Sequence, residues 1–208
     1  MAAEPGWLRW AREVQAIAQT GLHFTESNYD RERYEKLREI AIRAFAEYSN
    51  GSEPEIRAIF DQQHGYATPK VDVRGVVFRD HKILLVRERS DGHWTLPGGW
   101  ADVNDSPSEA VEREILEESG FTAKSRRLLA LYDRAKHGHS PPFAFHVYKL
   151  FIECELTGGS PATSYETTAV DFFAEDALPP LSTSRVLPEQ IKHCFKMRRD
   201  PQAPTYFD

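Results

Sequence analysis

The sequence predicts an α/β domain with a mixed sheet, preceded by a small all-helical N-terminal domain. Residues 1–66 place apolar side chains at helical spacing, whereas β-branched runs alternate with turns from residue 67 onwards. Strand-like runs on both sides of one central helix are typical of a mixed α/β sheet. We therefore expect a helical domain over 1–66 and a second domain over 67–208, a division that a chain of 208 residues allows.

The N-terminal domain is predicted to contain two or three amphipathic helices. The first carries apolar residues at helical spacing over Trp7–Ala18, and Gly21 is expected to end it. Asp30 is expected to cap a second helix, which ends near Asn50-Gly51. A third, short helix is expected over 53–63, with a proline in its first turn.

These helices can bury little apolar surface by themselves. They must therefore pack on the rest of the chain or on a second copy of it. Trp7 and Trp10 are either anchors of such an interface or ordinary core residues, since aromatic side chains are enriched at interfaces. We expect a homodimer.

The second domain is predicted to alternate strands, turns and helices. A turn at 79–82 joins the first two strands, and another at 90–92 precedes Trp94. In chain order, the predicted elements are strands over Val71–Phe78 and Ile83–Arg87, a helix over Ser106–Ser119, strands over 127–133, 143–155 and 170–173, and a helix from Pro188.

The composition argues against several classes of protein. The 26 Lys and Arg against 32 Asp and Glu give a net charge of −6, which disfavours non-specific nucleic-acid binding but not a phosphate substrate held through a metal. Cys154 and Cys194 form no C-x-x-C motif, so neither a disulfide framework nor a cysteine zinc site is expected. No apolar run approaches the roughly 20 residues of a membrane span, and no secretory signal is visible. We expect a cytoplasmic protein without membrane contact.

The helix predicted from Ser106 has recognisable ends. Ser106 and Glu109 have the spacing of a capping box, with Pro107 at the first helical position. Gly120 suits the left-handed residue that closes a helix. These ends fix which side chains share a face.

Three glutamates gather on one face of this helix. Glu114, Glu117 and Glu118 are spaced i, i+3 and i+4, which places them within roughly 100° of one another. A solvated acidic face is one interpretation, but like charges at this spacing destabilise a helix unless something offsets them, and Ala110 and Val111 share the arc. A divalent cation would offset the charges, and carboxylates without Cys or His favour a hard ion such as Mg²⁺ or Mn²⁺.

Two further features flank the glutamates. Arg113 lies four residues after Glu109 and four before Glu117, so it can orient Glu117 or form a surface salt bridge of little consequence. The Gly98-Gly99 pair allows close approach of the backbone, where a carbonyl could complete a metal shell, or it forms a simple turn.

The stretch from Gly99 to Phe121 resembles the Nudix box of the Nudix hydrolases, Gly-x5-Glu-x7-Arg-Glu-U-x-Glu-Glu-x-Gly-U with U apolar. Gly99 matches its first glycine, and Arg113–Phe121 matches its second half without a gap. Asp105 stands where the family has its first Glu, so a carboxylate is kept that is one methylene shorter.

The resemblance extends to segments 68–75 and 94–102 and to the helical N-terminus, which look like a bacterial branch of ADP-ribose or CDP-choline pyrophosphatases. It implies an α/β/α sandwich. It also implies hydrolysis of a nucleoside diphosphate linked to another moiety, giving a nucleoside monophosphate and a phosphorylated product. A small nucleotide is thus the expected substrate, and Mg²⁺ or Mn²⁺ the expected cofactor.

The resemblance also implies roles for single residues. Glu114 and Glu118 are the surest metal ligands, with Glu117 sharing the load and the Gly98 carbonyl assisting. Catalysis is expected to involve Glu118, Glu117 and Arg113.

Loops are expected to supply the remaining groups, since loops often carry function. In much of the family a Glu from a later loop contributes as general base, and Glu166 is the nearest candidate, unless it is an ordinary surface residue. The residues expected to bind substrate are Arg87, Arg134, Lys136, His137 and Trp100.

Two other functions stay open at this point. One is a non-catalytic nucleotide sensor with the same fold, which would not need to keep all three glutamates. The other is an enzyme acting on RNA ends, which the acidic charge disfavours without excluding it.

Overall fold

The computed structural model describes residues 4–49 and 51–208. Their backbone contacts divide the chain into two units. The first contains the described residues up to Pro69 together with Pro142–His146, and the second contains Lys70–Pro141 and Val147–Asp208.

Three helices form most of the first unit: α1 (Gly6–Phe24), α2 (Asn28–Tyr48) and α3 (Glu53–Asp61). Their facing sides carry apolar residues at helical spacing. The buried core consists of Leu8, Ala11, Ile42, Phe45, Ile56 and Phe60. Trp7 packs edge-on against Phe45, with 5.9 Å between ring centroids, whereas Trp10 is exposed.

We predicted that Gly21 ends α1, but Gly21 lies inside this helix. The helix continues to Phe24. A Cβ at position 21 would lie 2.4 Å from the ring of Tyr34 on α2. The glycine therefore serves the close approach of two helices rather than the end of one.

The start of α2 also differs from the prediction. Ser27 caps the helix, because its Oγ accepts a hydrogen bond from Asp30 N (3.3 Å). Asp30 therefore lies in the first turn of α2 and donates to the cap, whereas we predicted that it is the cap itself. The helix ends at Tyr48. Asn50, near its predicted end, lies outside the described residues. α3 begins at Glu53 as predicted.

A mixed sheet forms the centre of the second unit. Its elements are β1 (Lys70–Arg79), β2 (Lys82–Glu88), β3 (Trp94–Thr95), α4 (Pro107–Ser119), β4 (Phe121–Asp133), β5 (Val147–Gly159), β6 (Thr167–Phe173), α5 (Pro188–Arg199) and β7 (Tyr206–Phe207). The strand order is β3-β2-β1-β5-β4-β7, with β6 also paired to β2. β1 runs antiparallel to β2 and parallel to β5, which makes the sheet mixed.

Helices cover both faces of this sheet and give the α/β/α sandwich that the resemblance implied. One apolar core joins the sheet to α4 through Ala110, Val111 and Ile115. The other joins it to α5 through residues that include Ile191 and Phe195. Residues 73 and 77 of β1 face the first core and residue 76 faces the second, as the two-residue period of a strand requires.

The starts of β4 and β5 differ most from the prediction, and β6 begins at Thr167 rather than at 170. β4 starts at Phe121, six residues early, because Gly120 adopts the left-handed conformation (φ 73°) and turns the chain directly from α4 into the sheet. β5 starts at Val147 rather than at 143, because Pro142–His146 belongs to the first unit.

Within 4–49 and 51–208, no helix combines the length and hydropathy that crossing a bilayer requires. Cys154 and Cys194 are both buried free thiols.

Candidate active site

Local hydrogen bonds fix both ends of α4. Ser106 Oγ accepts from Glu109 N (3.3 Å) and Glu109 Oε2 accepts from Ser106 N (2.9 Å), which is the predicted capping box. Gly120 closes the helix, and its N–H donates to Leu116 O (2.9 Å). Because the apolar stripe of α4 is buried against the sheet, these ends determine where the acidic residues point.

The three glutamates of α4 do not share one environment. Glu114 and Glu118 are 9% and 5% exposed, whereas Glu117 is largely in solvent. Burial raises the pKa of Glu114 and raises that of Glu118 to about 8. Two buried carboxylates with raised pKa values lack full charge compensation from the protein.

Gly98 and Gly99 bring the backbone against these two carboxylates. Gly98 N donates to Glu118 Oε2 (2.9 Å). A Cβ at Gly99 would lie 3.2 Å from both carboxylate oxygens of Glu114. The Cα atoms of Gly98 and Gly99 are only about 3.8 Å apart, so the carboxylates of Glu118 and Glu114 lie next to each other along this segment.

The neighbours of Gly98 anchor this segment to β1. Gly75 N donates to Pro97 O (2.8 Å) and Val73 N donates to Gly99 O (2.8 Å). Gly98 itself has φ 145°, and a Cβ there would lie 2.0 Å from Val73 O, so only glycine fits. The N–H of Gly98 turns to α4 instead, and its carbonyl stays outside the hydrogen bonds to β1.

Arg113 contacts four carboxylates at the solvent side of the glutamates. Its Nη1 donates to Glu114 Oε1 (2.9 Å) and to Glu117 Oε2 (3.3 Å). Its Nε donates to Asp105 Oδ2 (3.3 Å), and its Nη2 lies 3.2 Å from Asp102 Oδ2. The shorter side chain at position 105 therefore still reaches the arginine.

The donor set suits a hard cation once Arg113 releases its partners. Among the residues that the structure describes, no three Asp, Glu, His or Cys side chains are gathered in metal-binding geometry, and Arg113 pairs with both Glu114 and Glu117. Carboxylate and carbonyl oxygens are the ligands that Mg²⁺ and Mn²⁺ prefer. Glu114, Glu118, Glu117 and the Gly98 carbonyl could hold such an ion.

A buried charge cluster beneath the segment 96–98 was missed by the sequence analysis. Asp72 Oδ2 accepts from Arg74 Nη2 (2.6 Å), and Asp72 Oδ1 accepts from Lys149 Nζ (2.6 Å). Arg74 Nη1 also donates to Leu96 O (3.2 Å). All three charged residues are buried, and burial lowers the pKa of Lys149 to about 8. The signal was present: Asp72 and Arg74 interrupt an otherwise apolar strand at alternate positions.

A second carboxylate that the sequence analysis missed is Glu88, at the end of β2. It is buried and forms an ion pair with Arg185 Nε (2.9 Å). Burial raises the pKa of Glu88, and the charges of Arg74 and Glu166 act on it as well. Glu88 therefore lies in the electrostatic surroundings of both the charge cluster and the Glu166 loop.

The loop carrying Glu166 is tied to the end of α4. Thr167 Oγ1 donates to Glu118 O (2.9 Å). The Glu166 carboxylate accepts from the Tyr165 hydroxyl. That bond, together with the charges of Glu166, Glu114 and Glu117, raises the pKa of Tyr165, so this loop shares the field of the α4 glutamates. The role of Glu166 as general base stays a prediction.

The predicted substrate ligands lie in two parts of the chain, one before α4 and one after β4. Arg87 and Trp100 are exposed, and Arg87 Nε donates to Gly92 O (2.8 Å). Arg134 is buried and donates to Pro141 O (2.9 Å), whereas His137 Nε2 pairs with Asp208 (2.9 Å). Lys136 is exposed. Their contact with substrate stays a prediction.

Comparison with known proteins identifies the family. Residues 68–193 match the NUDIX domain. The chain belongs to the Nudix hydrolases. Residues 5–60 of this Nudix hydrolase match the domain described as "UDP-X-like, N-terminal oligomerisation domain".

Relatives resemble the Nudix hydrolase over most of its length. "Putative ADP-ribose pyrophosphatase YjhB" of Bacillus subtilis (strain 168) is 47% identical over 202 residues, 97% of each chain. A solved UDP-X diphosphatase is 35% identical, with a TM-score of 0.62 over 97% of this chain and 98% of that one. A solved ADP-ribose pyrophosphatase of Streptococcus suis 89-1591 is 41% identical, with a TM-score of 0.62 over 68% of this chain and 100% of that one.

Proposed function

We propose that this Nudix hydrolase cleaves the pyrophosphate bond of a nucleoside diphosphate linked to a sugar-type moiety, with Mg²⁺ or Mn²⁺ as cofactor. The observation that carries the proposal is the pair of buried carboxylates, Glu114 and Glu118, against the backbone of Gly98-Gly99. A buried pair of this kind is costly unless a cation neutralises it.

Each residue has one task in this proposal. Glu114, Glu118 and the Gly98 carbonyl hold the cation, and Glu117 joins them when Arg113 releases it. When bound, the cation supplies positive charge to the phosphate oxygens and lowers the pKa of the attacking water. Before the cation binds, Arg113 holds the carboxylates in place through its bonds to Glu114 and Glu117.

The reaction itself is a hydrolysis at one phosphorus. A water oxygen forms a bond to that phosphorus while the bond from the same phosphorus to the bridging oxygen breaks. The water proton passes to a carboxylate, for which Glu166 is the candidate, and the bridging oxygen leaves with the second phosphate. The products are a nucleoside monophosphate and a phosphorylated remainder.

The substrate class is supported by the relatives. The names of the full-length relative and of the Streptococcus suis structure specify ADP-ribose pyrophosphatases, and that of the solved UDP-X diphosphatase specifies UDP-X. ADP-ribose, a UDP-sugar, CDP-choline, NADH, a diadenosine polyphosphate and a short RNA should therefore be compared at equal Mg²⁺. We expect the highest kcat/KM for ADP-ribose or the UDP-sugar. Cleavage of the RNA alone, or of none of these compounds, would overturn the proposal.

Metal binding is tested apart from turnover. Calorimetric titration of Mn²⁺ into Glu114→Gln should show weaker binding than into the unaltered protein. Glu112→Gln is the matched control, because Glu112 lies on the same helix but accepts from Ser125 N (2.9 Å) outside the site. Equal loss in both variants would argue against the assigned ligands.

The exposed side of α1 supports the proposal of a homodimer. Trp10, Ile17 and Phe24 recur every seven residues and are 61%, 50% and 65% exposed. This spacing aligns the three side chains in one apolar stripe along the helix, the kind of surface that a partner helix covers. Sedimentation should show a dimer that Ile17→Asp converts to a monomer, whereas Tyr66→Asp, at another exposed aromatic, leaves it intact. A monomeric unaltered protein would end this proposal.

A reducing cytosol as the location is part of the same proposal. Cys154 and Cys194 are buried thiols without a disulfide partner, which is the usual state of cysteines in that compartment.

A further inference from the structure

The helical unit contains a polar cavity that the proposed reaction does not use. Its volume is about 340 Å³, within the usual range of small-molecule sites. α1 contributes Gln15, α2 contributes Arg31 and Arg38, and the segment after α3 contributes His64. The cavity lies wholly within the first unit.

The floor of this cavity carries unsatisfied polar atoms. Gln15 is only 6% exposed, yet both its amide nitrogen and its amide oxygen lack a hydrogen-bond partner, and so does Arg38 Nε. Gln15 occupies the buried stripe of α1 between Ala11 and Ala18, where an apolar residue would be expected. Packing does not explain a glutamine there, since an unsatisfied buried amide destabilises a fold.

The chemistry of the lining restricts the ligand. The Gln15 amide offers a donor and an acceptor side by side, which complements an edge that presents the same pair in reverse, as a nucleobase does. Arg31 and Arg38 bring guanidinium groups to the lining. Arg38 Nη1 pairs with Asp61 Oδ1 (3.3 Å), but its Nε has no partner and is a donor for an anionic group. The flexible Gln15 side chain can turn its amide from the wall into the space that it lines.

We propose that this cavity binds a nucleoside monophosphate, with the base edge on Gln15 and the phosphate on Arg31 and Arg38. The site is separate from the glutamates of α4 and does not depend on the reaction proposed for them.

A partner helix on the apolar stripe would leave the Gln15 side of the cavity open. Gln15 and Ile17 are two residues apart on α1, which separates their directions by roughly 200°. Gln15 and Ile17 therefore point to opposite sides of the helix, whereas at its end His23 of the lining packs edge-on against Phe24 of the stripe (4.7 Å between ring centroids).

The binding test uses the full-length protein in EDTA, so that metal-dependent binding elsewhere is suppressed. AMP, UMP, CMP and GMP are titrated calorimetrically, with inorganic phosphate and adenosine as partial probes. We expect one nucleotide to bind at one site per chain, more tightly than either partial probe. Gln15→Leu and Arg38→Met should each raise its Kd at least tenfold. Gln62→Leu, an exposed glutamine close by, should leave Kd unchanged.

Thermal unfolding of the same variants separates loss of binding from loss of fold. Without nucleotide, Gln15→Leu should raise Tm, because it removes an unsatisfied amide, and with nucleotide it should gain no further Tm. The proposal is overturned if none of the four nucleotides binds, or if Gln15→Leu and Gln62→Leu bind alike. It is equally overturned if Gln15→Leu lowers Tm without nucleotide, which would mean that an ordered water alone satisfies the amide.

Discussion

Replacing Gly98 and Gly99 one at a time by alanine should separate the fold of the site from its chemistry. At Gly98 the added methyl would lie 2.0 Å from Val73 O, and φ 145° is a conformation that other residues rarely adopt. At Gly99 the methyl would lie 3.2 Å from the Glu114 carboxylate, and the backbone is unstrained. Neighbouring glycines thus have different reasons to be glycine.

The cost at Gly98 can be worked out from these contacts. The backbone conformation costs about 1–3 kcal/mol in a residue with a side chain. Moving the methyl away from Val73 O disturbs the flanking bonds from Gly75 N and Val73 N, each contributing about 0.5–1.5 kcal/mol. We therefore expect Gly98→Ala to lose about 2–6 kcal/mol of stability and to lower Tm by roughly 10 °C. Gly99→Ala should change stability by less than about 1 kcal/mol.

Three measurements on the same samples distinguish the variants. Calorimetry gives Tm, Mn²⁺ titration gives metal affinity, and turnover of the preferred substrate gives kcat. Gly98→Ala should fail in all three, whereas Gly99→Ala should keep Tm and lose about tenfold in Mn²⁺ affinity because the Glu114 carboxylate is displaced. Gly6→Ala, whose methyl would meet nothing within 4 Å, is the control. An unchanged Tm in Gly98→Ala would refute the close approach on which this reasoning rests.

Three further changes test other parts of the molecule. Glu118→Gln should reduce kcat by at least about 100-fold, and near-normal turnover would contradict the role of Glu118. The same change should not lower Tm in EDTA at pH 8, because burial raises the pKa of Glu118 to about 8 and already disfavours its charged form. Burial lowers the pKa of His139 to about 3, whereas the same side chain in the unfolded chain has a pKa of about 6.5. As the pH falls from 6.5 to 3, the unfolded chain is protonated at His139 and the folded chain is not, so the free energy of unfolding falls by at most about 1.4 kcal/mol per pH unit. His139→Gln should flatten that slope in urea titrations at pH 7 and 5, and identical slopes would contradict the assignment. Lys149→Met should cost about 3 kcal/mol in chemical denaturation, because Asp72 loses one of two buried partners; a loss below about 1 kcal/mol would show that Arg74 alone suffices.

Local signals explain what the sequence predicted well. The ends of α4 depend on contacts within four residues, namely Ser106 with Glu109 and Gly120 with Leu116, so spacing alone located them. The spacing of Glu114, Glu117 and Glu118 likewise placed them on one helix, although only packing against the sheet shows that two are buried and one is not.

Long-range pairing explains what the sequence could not predict. The early start of β4 depends on its pairing with β5, where Phe121 lies opposite Gly159. The cluster of Asp72, Arg74 and Lys149 joins residues more than seventy positions apart. Gly21 resembled a helix end, because nothing in the sequence reveals that Tyr34 packs against it.

The short segment Pro142–His146 makes the helical unit hard to remove by truncation. Phe145 packs edge-on against Phe60, with 6.2 Å between ring centroids, and the Phe143 carbonyl accepts from Arg12 Nε (3.0 Å). A truncated chain that starts at residue 67 would retain the two phenylalanines but lose the residues that cover them, leaving an exposed apolar loop. Anyone designing a minimal version for crystallisation should therefore recode those five residues with polar ones.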